Sequence, residues 1–240
     1  MIDIHTHILP GVDDGSKDVE ESIKMLGILS AQGVDTVVAT PHFYIEMADA
    51  KTFLEKRNAV AEMLKEKLNS ADFERPRPQI ALGAEVQFYN DLHMLDELEK
   101  LCIDGTNYIL VEMPFIEWTQ RTYQVLEQMC VNRDVVPVVA HLERYREFKK
   151  NPEAAICLKE SGALVQINSE SLCERSTRRR ALKMIKNELV SFIGSDAHNT
   201  TTRPPCLEDA FEIINKKLKP TELEFLNYCE LNLKKSLITF

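Results

Sequence analysis

Seven short apolar runs alternate with longer helical patterns along the chain, and this alternation constrains the fold more than any other feature. The runs are Ile2–His5, Thr36–Thr40, Gln79–Glu85, Tyr108–Glu112, Val135–Ala140, Ala163–Ile167 and Leu189–Gly194. Each is a continuous apolar stretch rather than an apolar/polar alternation, as expected for a strand covered on both faces. Helical patterns run over about Val19–Gln32, Ala50–Asn69, Tyr123–Asn132, Pro152–Ser161, Ser176–Asn187, Pro205–Lys217 and Thr221–Leu237. In the first of these, Asp18 and Glu21 stand at capping-box spacing. Val19, Ile23, Leu26 and Leu29 form its apolar stripe, and Gly33 sits where a helix stops. Strand–helix alternation with long connections predicts right-handed crossovers and a parallel sheet. Seven strands in 240 residues suit a closed or nearly closed α/β barrel, with a doubly wound open sheet as the alternative. No composition shift or repeat marks a linker, so one domain over residues 1–240 is expected, with residues 75–78 as a stiff loop.

Composition narrows what such a domain can do. Hydrophobic residues make up 44% of the chain, which suits a folded protein rather than a disordered one. No apolar run approaches the roughly 20 residues of a bilayer crossing, so no membrane span is expected. Asp3, His5 and His7 interrupt the N-terminus before an apolar stretch forms, so no signal peptide is expected. A net charge of −9 argues against a general nucleic-acid binder, which needs basic surface to displace counterions. The six cysteines never form C-x-x-C, the spacing of zinc ribbons and thioredoxin-like sites. Reduced structural thiols in a cytoplasmic protein are the simplest expectation.

The ends of the strands carry the chemistry. The first ends in His5-Thr6-His7, with Asp13 and Asp14 in the following loop; the second is followed by His42; the third ends in Glu85. The fourth ends in Glu112, the fifth is followed by His141, and the seventh is followed by Asp196 and His198. Only the sixth lacks a titratable group there, offering Asn168 instead. Parallel barrels build active sites from these ends. One such residue would have a bland structural explanation, but six strands of seven sharing the feature is hard to explain that way. Five of the six histidines fall in the set; His93, in a polar helical segment, is expected to be solvent-exposed.

A metal site fits these residue types. On an extended segment, His5 and His7 point to one face because the period is two, and Asp196-x-His198 repeats the spacing. Imidazoles mixed with carboxylates suit Mn²⁺, Fe²⁺ or Zn²⁺, and the absence of thiolates argues against a purely structural zinc. Nine candidate ligands exceed the needs of one ion and suit two or three sharing a bridging carboxylate.

In this order, the motifs resemble the polymerase and histidinol phosphatase (PHP) superfamily of metal-dependent phosphoesterases. Within it, the chain is similar to the bacterial tyrosine phosphatases encoded with capsular and exopolysaccharide genes. The matching segments are residues 1–16, 38–43, Gly83-x-Glu85, 108–114, 137–145 and 193–204, so the resemblance covers nearly the whole chain. Leu142 is a departure, standing where such proteins often carry proline. The resemblance implies a distorted seven-stranded (β/α)7 TIM-like barrel (the PHP fold) and a trinuclear centre. By similarity, His5, His7, Glu85 and Asp196 would hold the first ion, with Glu85 bridging to a second completed by Glu112 and His141. Asp14, His42 and His198 would hold the third, with Asp14 preferred over Asp13. Arg144 and Arg203 would face the substrate.

By the same resemblance, the ions would be manganese, with iron or zinc as alternatives, and two or three would bind. The substrate would be a tyrosine-phosphorylated bacterial autokinase that controls polysaccharide export, hydrolysed by metal-activated water attacking phosphorus. Three divalent ions with four ligand carboxylates leave a site charge of about +2, and two ions with three leave about +1. Either suits a dianionic phosphate monoester. The principal alternative is a histidinol-phosphatase-like enzyme with the same centre and a small-molecule substrate. Cys173 and Arg179 also satisfy the C-x5-R spacing of cysteine-dependent phosphatases, but no glycine lies within that loop and Arg180 stands where Ser or Thr would follow. A basic helix start explains residues 175–180 better. A non-catalytic metal-binding module is the third alternative.

Overall fold

Every strand pair is parallel. β1 (Ile2–Thr6) pairs with β2 (Thr36–Ala39), which pairs with β4 (Gln79–Leu82). A second sheet runs β3 (His42–Phe43), β5 (Glu85–Gln87), β6 (Tyr108–Glu112), β7 (Val136–Val139), β8 (Leu164–Asn168) and β9 (Phe192–Gly194). One expected strand, Gln79–Glu85, is therefore interrupted, and β3 is a strand the sequence did not predict. Thr40-Pro41 separates β2 from β3, and Gly83-Ala84 separates β4 from β5. Proline has no N–H to give a ladder, but its carbonyl still serves: Glu85 N donates to Pro41 O at 3.0 Å. At the other edge, Thr6 bridges Ala197 in parallel, and Asp196 N donates to His5 O at 2.8 Å. The architecture is a parallel-strand half-barrel of α/β type.

A computed structural model describes residues 1–71, 73, 76–145, 148 and 153–240. Position 75 of the expected stiff loop and position 152 of the expected fourth helix lie outside the described residues. The helices are Val19–Ala31, Ala50–Leu68, Gln120–Arg133, Glu153–Glu160, Glu170–Cys173, Arg175–Lys186, Leu207–Lys217 and Glu224–Ser236. Asp18 caps the first by accepting Glu21 N at 2.9 Å. The 3-10 turns Leu98–Leu101 and Leu142–Arg144 and the helix Glu170–Cys173 have no counterpart in the sequence expectations. The helical segment expected around His93 is the 3-10 turn Leu92–Met94, but the expected exposure is corrected: His93 is half-buried, and its carbonyl accepts from Arg133 Nη1 at 3.1 Å. No helix among the described residues is long and apolar enough to cross a membrane.

Two apolar clusters hold the strands. The larger packs helices against the sheet; the smaller takes residues from β1, β2, β4, β6, β7 and β9 together with Cys229 and Leu233 of the last helix. Neighbours in register share a face, and along a strand that face recurs every second residue. Leu110 of the smaller cluster pairs with Glu85, and Phe192 pairs with Gln166. Counting in twos from Leu110 reaches Glu112, and from Phe192 reaches Asp196. The face that is apolar deep in the fold thus turns polar at the strand ends.

Candidate metal centre

Glu85 is the hub. Its Oε2 lies 3.1 Å from His5 Nε2, 3.3 Å from His7 Nε2 and 3.1 Å from His42 Nδ1. Its Oε1 lies 2.9 Å from His141 Nε2, which is 3.8 Å from Glu112 Oε1. Asp196 Oδ1 stands 3.5 Å from His5 Nε2, 3.4 Å from His7 Nε2 and 3.5 Å from His198 Nδ1. Asp14 Oδ1 is 3.6 Å from His42 Nε2 and 3.4 Å from His198 Nε2. All nine side chains singled out as ligands therefore meet in one place. Three sets offer ligand-type atoms within 4.8 Å of one another: His5, His7, Glu85 and Asp196; His7, Asp14, His42 and His198; and His42, Glu85 and Glu112. The grouping is more shared than the sequence suggested, since His7 also faces the third set and His42 also faces Glu112.

The surrounding amides decide which nitrogens point inward. Gln166 Oε1 accepts the backbone N–H of His141 at 2.7 Å, so it is an acceptor, and His5 Nδ1, 3.2 Å away, must carry the hydrogen. Gln166 Nε2 then donates to Asn168 Oδ1, and Asn168 Nδ2 donates to Asp196 Oδ2, both at 2.9 Å. On the other side, Asp13 Oδ2 takes His7 Nδ1 at 2.6 Å and the His42 N–H at 2.9 Å. Both Nδ1 atoms are thus occupied, and the Nε2 atoms of His5 and His7 face each other 3.2 Å apart. Two lone pairs aimed at one point repel unless a cation sits between them. Glu85 Oε2 adds to this, being buried without a hydrogen-bond partner although three imidazole nitrogens approach it. The donor set therefore fits a divalent metal, and carboxylate or amide partners on the outer nitrogens are what metal-binding histidines require. Asp13, set aside in the sequence for Asp14, serves as such a partner.

The backbone is bent to achieve this. His141 (φ 33°) and Asp196 (φ 52°) both occupy the left-handed region, which is costly for residues other than glycine. The Asp13–Gly15 loop lies so close to His7 that a Cβ at Gly15 would come within 2.3 Å of His7 O. Gly194 lets β9 reach β1: a Cβ there would lie 2.6 Å from His5 Cβ.

Charge is balanced only in part by the protein. Burial opposes ionisation of Glu85, but the imidazoles of His5 and His141 beside it outweigh that and hold the carboxyl well below its ordinary range. Burial pushes Glu112 up to about 7, with repulsion from Glu85 adding to it. Arg203 Nη2 donates to Asp196 Oδ2 at 2.7 Å, and Arg144 Nη2 forms an ion pair with the same oxygen at 2.9 Å. Both guanidinium groups remain about a third exposed at the mouth of the centre.

Cys173 and Arg179 do not form a phosphate loop. Cys173 ends the helix Glu170–Cys173 and Arg179 lies within the next helix. The thiol is pushed up by its hydrogen bond with Cys206 and by burial, so it is no thiolate nucleophile. The sequence also gave no role to Gln166. A buried amide inside an otherwise apolar strand must find partners, and that was the available signal.

Comparison with known proteins agrees with this geometry. Residues 1–230 match the family model described as capsular polysaccharide synthesis, CpsB/CapC. Tyrosine-protein phosphatase YwqE of Bacillus subtilis is 33% identical over 222 residues, covering 90% of this chain and 85% of that protein. Tyrosine-protein phosphatase CpsB of Streptococcus pneumoniae is 32% identical over 234 residues, covering 90% of each. A solved structure from work on YwqE and CpsB, described as unique metal-dependent tyrosine phosphatases, superposes with a TM-score of 0.84 at 29% identity. It covers 100% of this chain and 97% of its own. The chain belongs to the CpsB/CapC family of capsular polysaccharide synthesis proteins.

Proposed function

We propose that this chain is a metal-dependent protein-tyrosine phosphatase acting on a bacterial tyrosine autokinase and so regulating capsular or exopolysaccharide synthesis. The observation that carries the proposal is Glu85, a single buried carboxylate met by the imidazoles of His5, His7, His42 and His141. Membership of the CpsB/CapC family and the names of its relatives favour phosphotyrosine over histidinol phosphate as the substrate class. The ligands would be His5, His7, Glu85 and Asp196 for one ion, Glu85, Glu112 and His141 for a second, and Asp14, His42 and His198 for a third. An imidazole and carboxylate set without thiolates suits manganese, with iron or zinc as alternatives.

Bound divalent ions would supply Lewis acidity to the phosphoryl oxygens and lower the pKa of bound water. Arg144 and Arg203 would clamp the phosphoryl oxygens, a role suited to a planar guanidinium. Asn168 would hold Asp196 in place when the arginines turn to the substrate. A cavity of about 480 Å³ opens against Asp14 and His42 and is walled by Val12, Tyr44 and Met47. It offers an apolar seat for an aromatic ring. A phenol leaves with a pKa near ~10, so no general acid is assigned.

The finer fold follows the same reading. The strands would close as a distorted seven-position barrel, with β2–β3 and β4–β5 each counted as one interrupted strand and the Thr6–Ala197 bridge closing the ring. Both apolar clusters draw on both ends of the chain, which supports a single domain over residues 1–240. A cytoplasmic location follows from the proposed kinase substrate. Hydrolysis of a phosphotyrosine peptide by manganese-loaded protein tests the function, with phosphoserine peptide and histidinol phosphate as comparators. Preference for histidinol phosphate would overturn it.

A further inference from the structure

Arg175, Arg178 and Arg179 take no part in the centre described above, yet they line a built feature, while Arg180 lies over the Phe148 ring. The helix Arg175–Lys186 buries Ala181, Met184 and Ile185 and turns its basic residues outward. Arg175, Arg178, Arg179, Lys183 and Lys186 wall a groove of about 540 Å³ together with Lys217, over a floor of Leu182 and Leu218. Glu222 is the one acidic residue on its wall, and it is already paired with Lys186 at 2.6 Å. Arg178 is tied to the carbonyl oxygens of Leu172 and Cys173. Arg175, Arg179, Lys183 and Lys217 make no ion pair among the described residues and are exposed. So many unpaired cations in one concavity are out of keeping with a chain of net charge −9.

We infer that this groove is a docking site for an acidic, partly apolar peptide segment of a partner protein. Charge complementarity selects an anionic occupant. The apolar floor between cationic walls selects a chain that carries side chains of both kinds, rather than a free phosphate. A concave site with its leucines at the bottom suits a peptide better than a flat bilayer, which needs protruding apolar residues to insert. A helix of 12 residues spans about 18 Å, room for roughly five extended residues. The inference does not depend on the phosphatase reading, since it concerns binding away from the ligands.

The test is fluorescence anisotropy with the full chain and a short fluorescein-labelled peptide of glutamates interrupted by leucines, carrying no phosphate. Saturable binding is expected. It should weaken with salt and by at least about tenfold in the double variant Arg175→Glu, Arg179→Glu, while a matching lysine/leucine peptide stays unbound. Both positions are exposed, so p-nitrophenyl phosphate turnover should persist in the variant and report an intact fold. Should that variant misfold, Lys183→Ala with Lys217→Ala is expected to weaken binding in the same direction. Unchanged affinity in a folded variant, or equal binding of the lysine peptide, would overturn the site. Tighter retention on phosphatidylserine vesicles, abolished by the same substitutions, would assign the groove to a membrane surface and overturn the peptide reading.

Discussion

Gln166 Oε1 lies 3.2 Å from His5 Nδ1, and that contact sets where the lone pair of His5 points. The same oxygen accepts the His141 N–H, so its orientation is fixed by a backbone group that can only donate. Gln166→Ala would let His5 take either tautomer and leave a buried N–H unpaired. Metal affinity is expected to fall by about 10–100-fold, the usual scale for outer partners of metal-binding histidines. Competition with a chromophoric chelator measures this without reference to turnover. Wild-type affinity in the variant would remove Gln166 from the support of the centre.

Asp13 and Asp14 should behave differently despite being neighbours. Asp13 holds His7 Nδ1 and the His42 N–H, so Asp13→Asn should loosen every ion that uses those rings. Asp14 has a side chain 68% exposed and pairs with His42 and His198. Asp14→Asn should therefore release one ion selectively, keep about two per chain, and lose most aryl phosphatase activity. Elemental analysis of both variants checks the difference. Unaltered stoichiometry and rates in Asp14→Asn would reduce the pair to a turn before Gly15.

Arg144→Ala and Arg203→Ala should each lower kcat/KM while leaving metal content unchanged. The loss should be of order 2–4 kcal/mol of transition-state stabilisation, on the scale of other charge-stabilising donors. Cys173→Ser should leave turnover intact, because that thiol stays protonated beside Cys206. Steady-state kinetics on p-nitrophenyl phosphate decides all three. Loss of activity in Cys173→Ser with activity retained in His5→Ala would reverse the assignment of chemistry.

How far the centre could be read from the sequence depended on which residues carry a recognisable chemical signature. His5 and His7 were legible because two imidazoles at period two share a face, and Glu85, Glu112 and Asp196 because charged groups rarely end buried strands without reason. β3 was not legible: two residues after a proline show no periodicity. Gln166 was hidden within an apolar run as a neutral amide. The division of labour between Asp13 and Asp14 depends on how closely Gly15 packs against His7, which is a matter of tertiary contact and leaves no local pattern.

Away from the centre, Glu230 should make stability fall as pH rises. Burial lifts its carboxyl from 4.5 to about 7, against weaker opposition from Lys234, and its Oε1 has no partner. The folded state therefore binds the proton more tightly than the unfolded state. The resulting penalty is absent below about pH 4.5, grows through the interval, and is complete above about pH 7. A shift of this size corresponds to on the order of 3 kcal/mol. Glu230→Gln should raise Tm at pH 8 and leave it nearly unchanged at pH 4.5. Equal Tm gains at both values would show that charge burial is not the cause.

The proposed role of His5, His7, Glu85 and Asp196, with the residues around them, is to hold catalytic divalent ions. Its most direct test is metal stoichiometry measured alongside aryl phosphate hydrolysis on the same protein, before and after chelation and after return of Mn²⁺. The expected result is two or three ions per chain, activity that disappears with the chelator and returns with Mn²⁺, and neither ions nor activity in Asp196→Ala. Hydrolysis that persists in metal-free protein, or in Asp196→Ala without bound ions, would remove these residues from a metal-dependent mechanism.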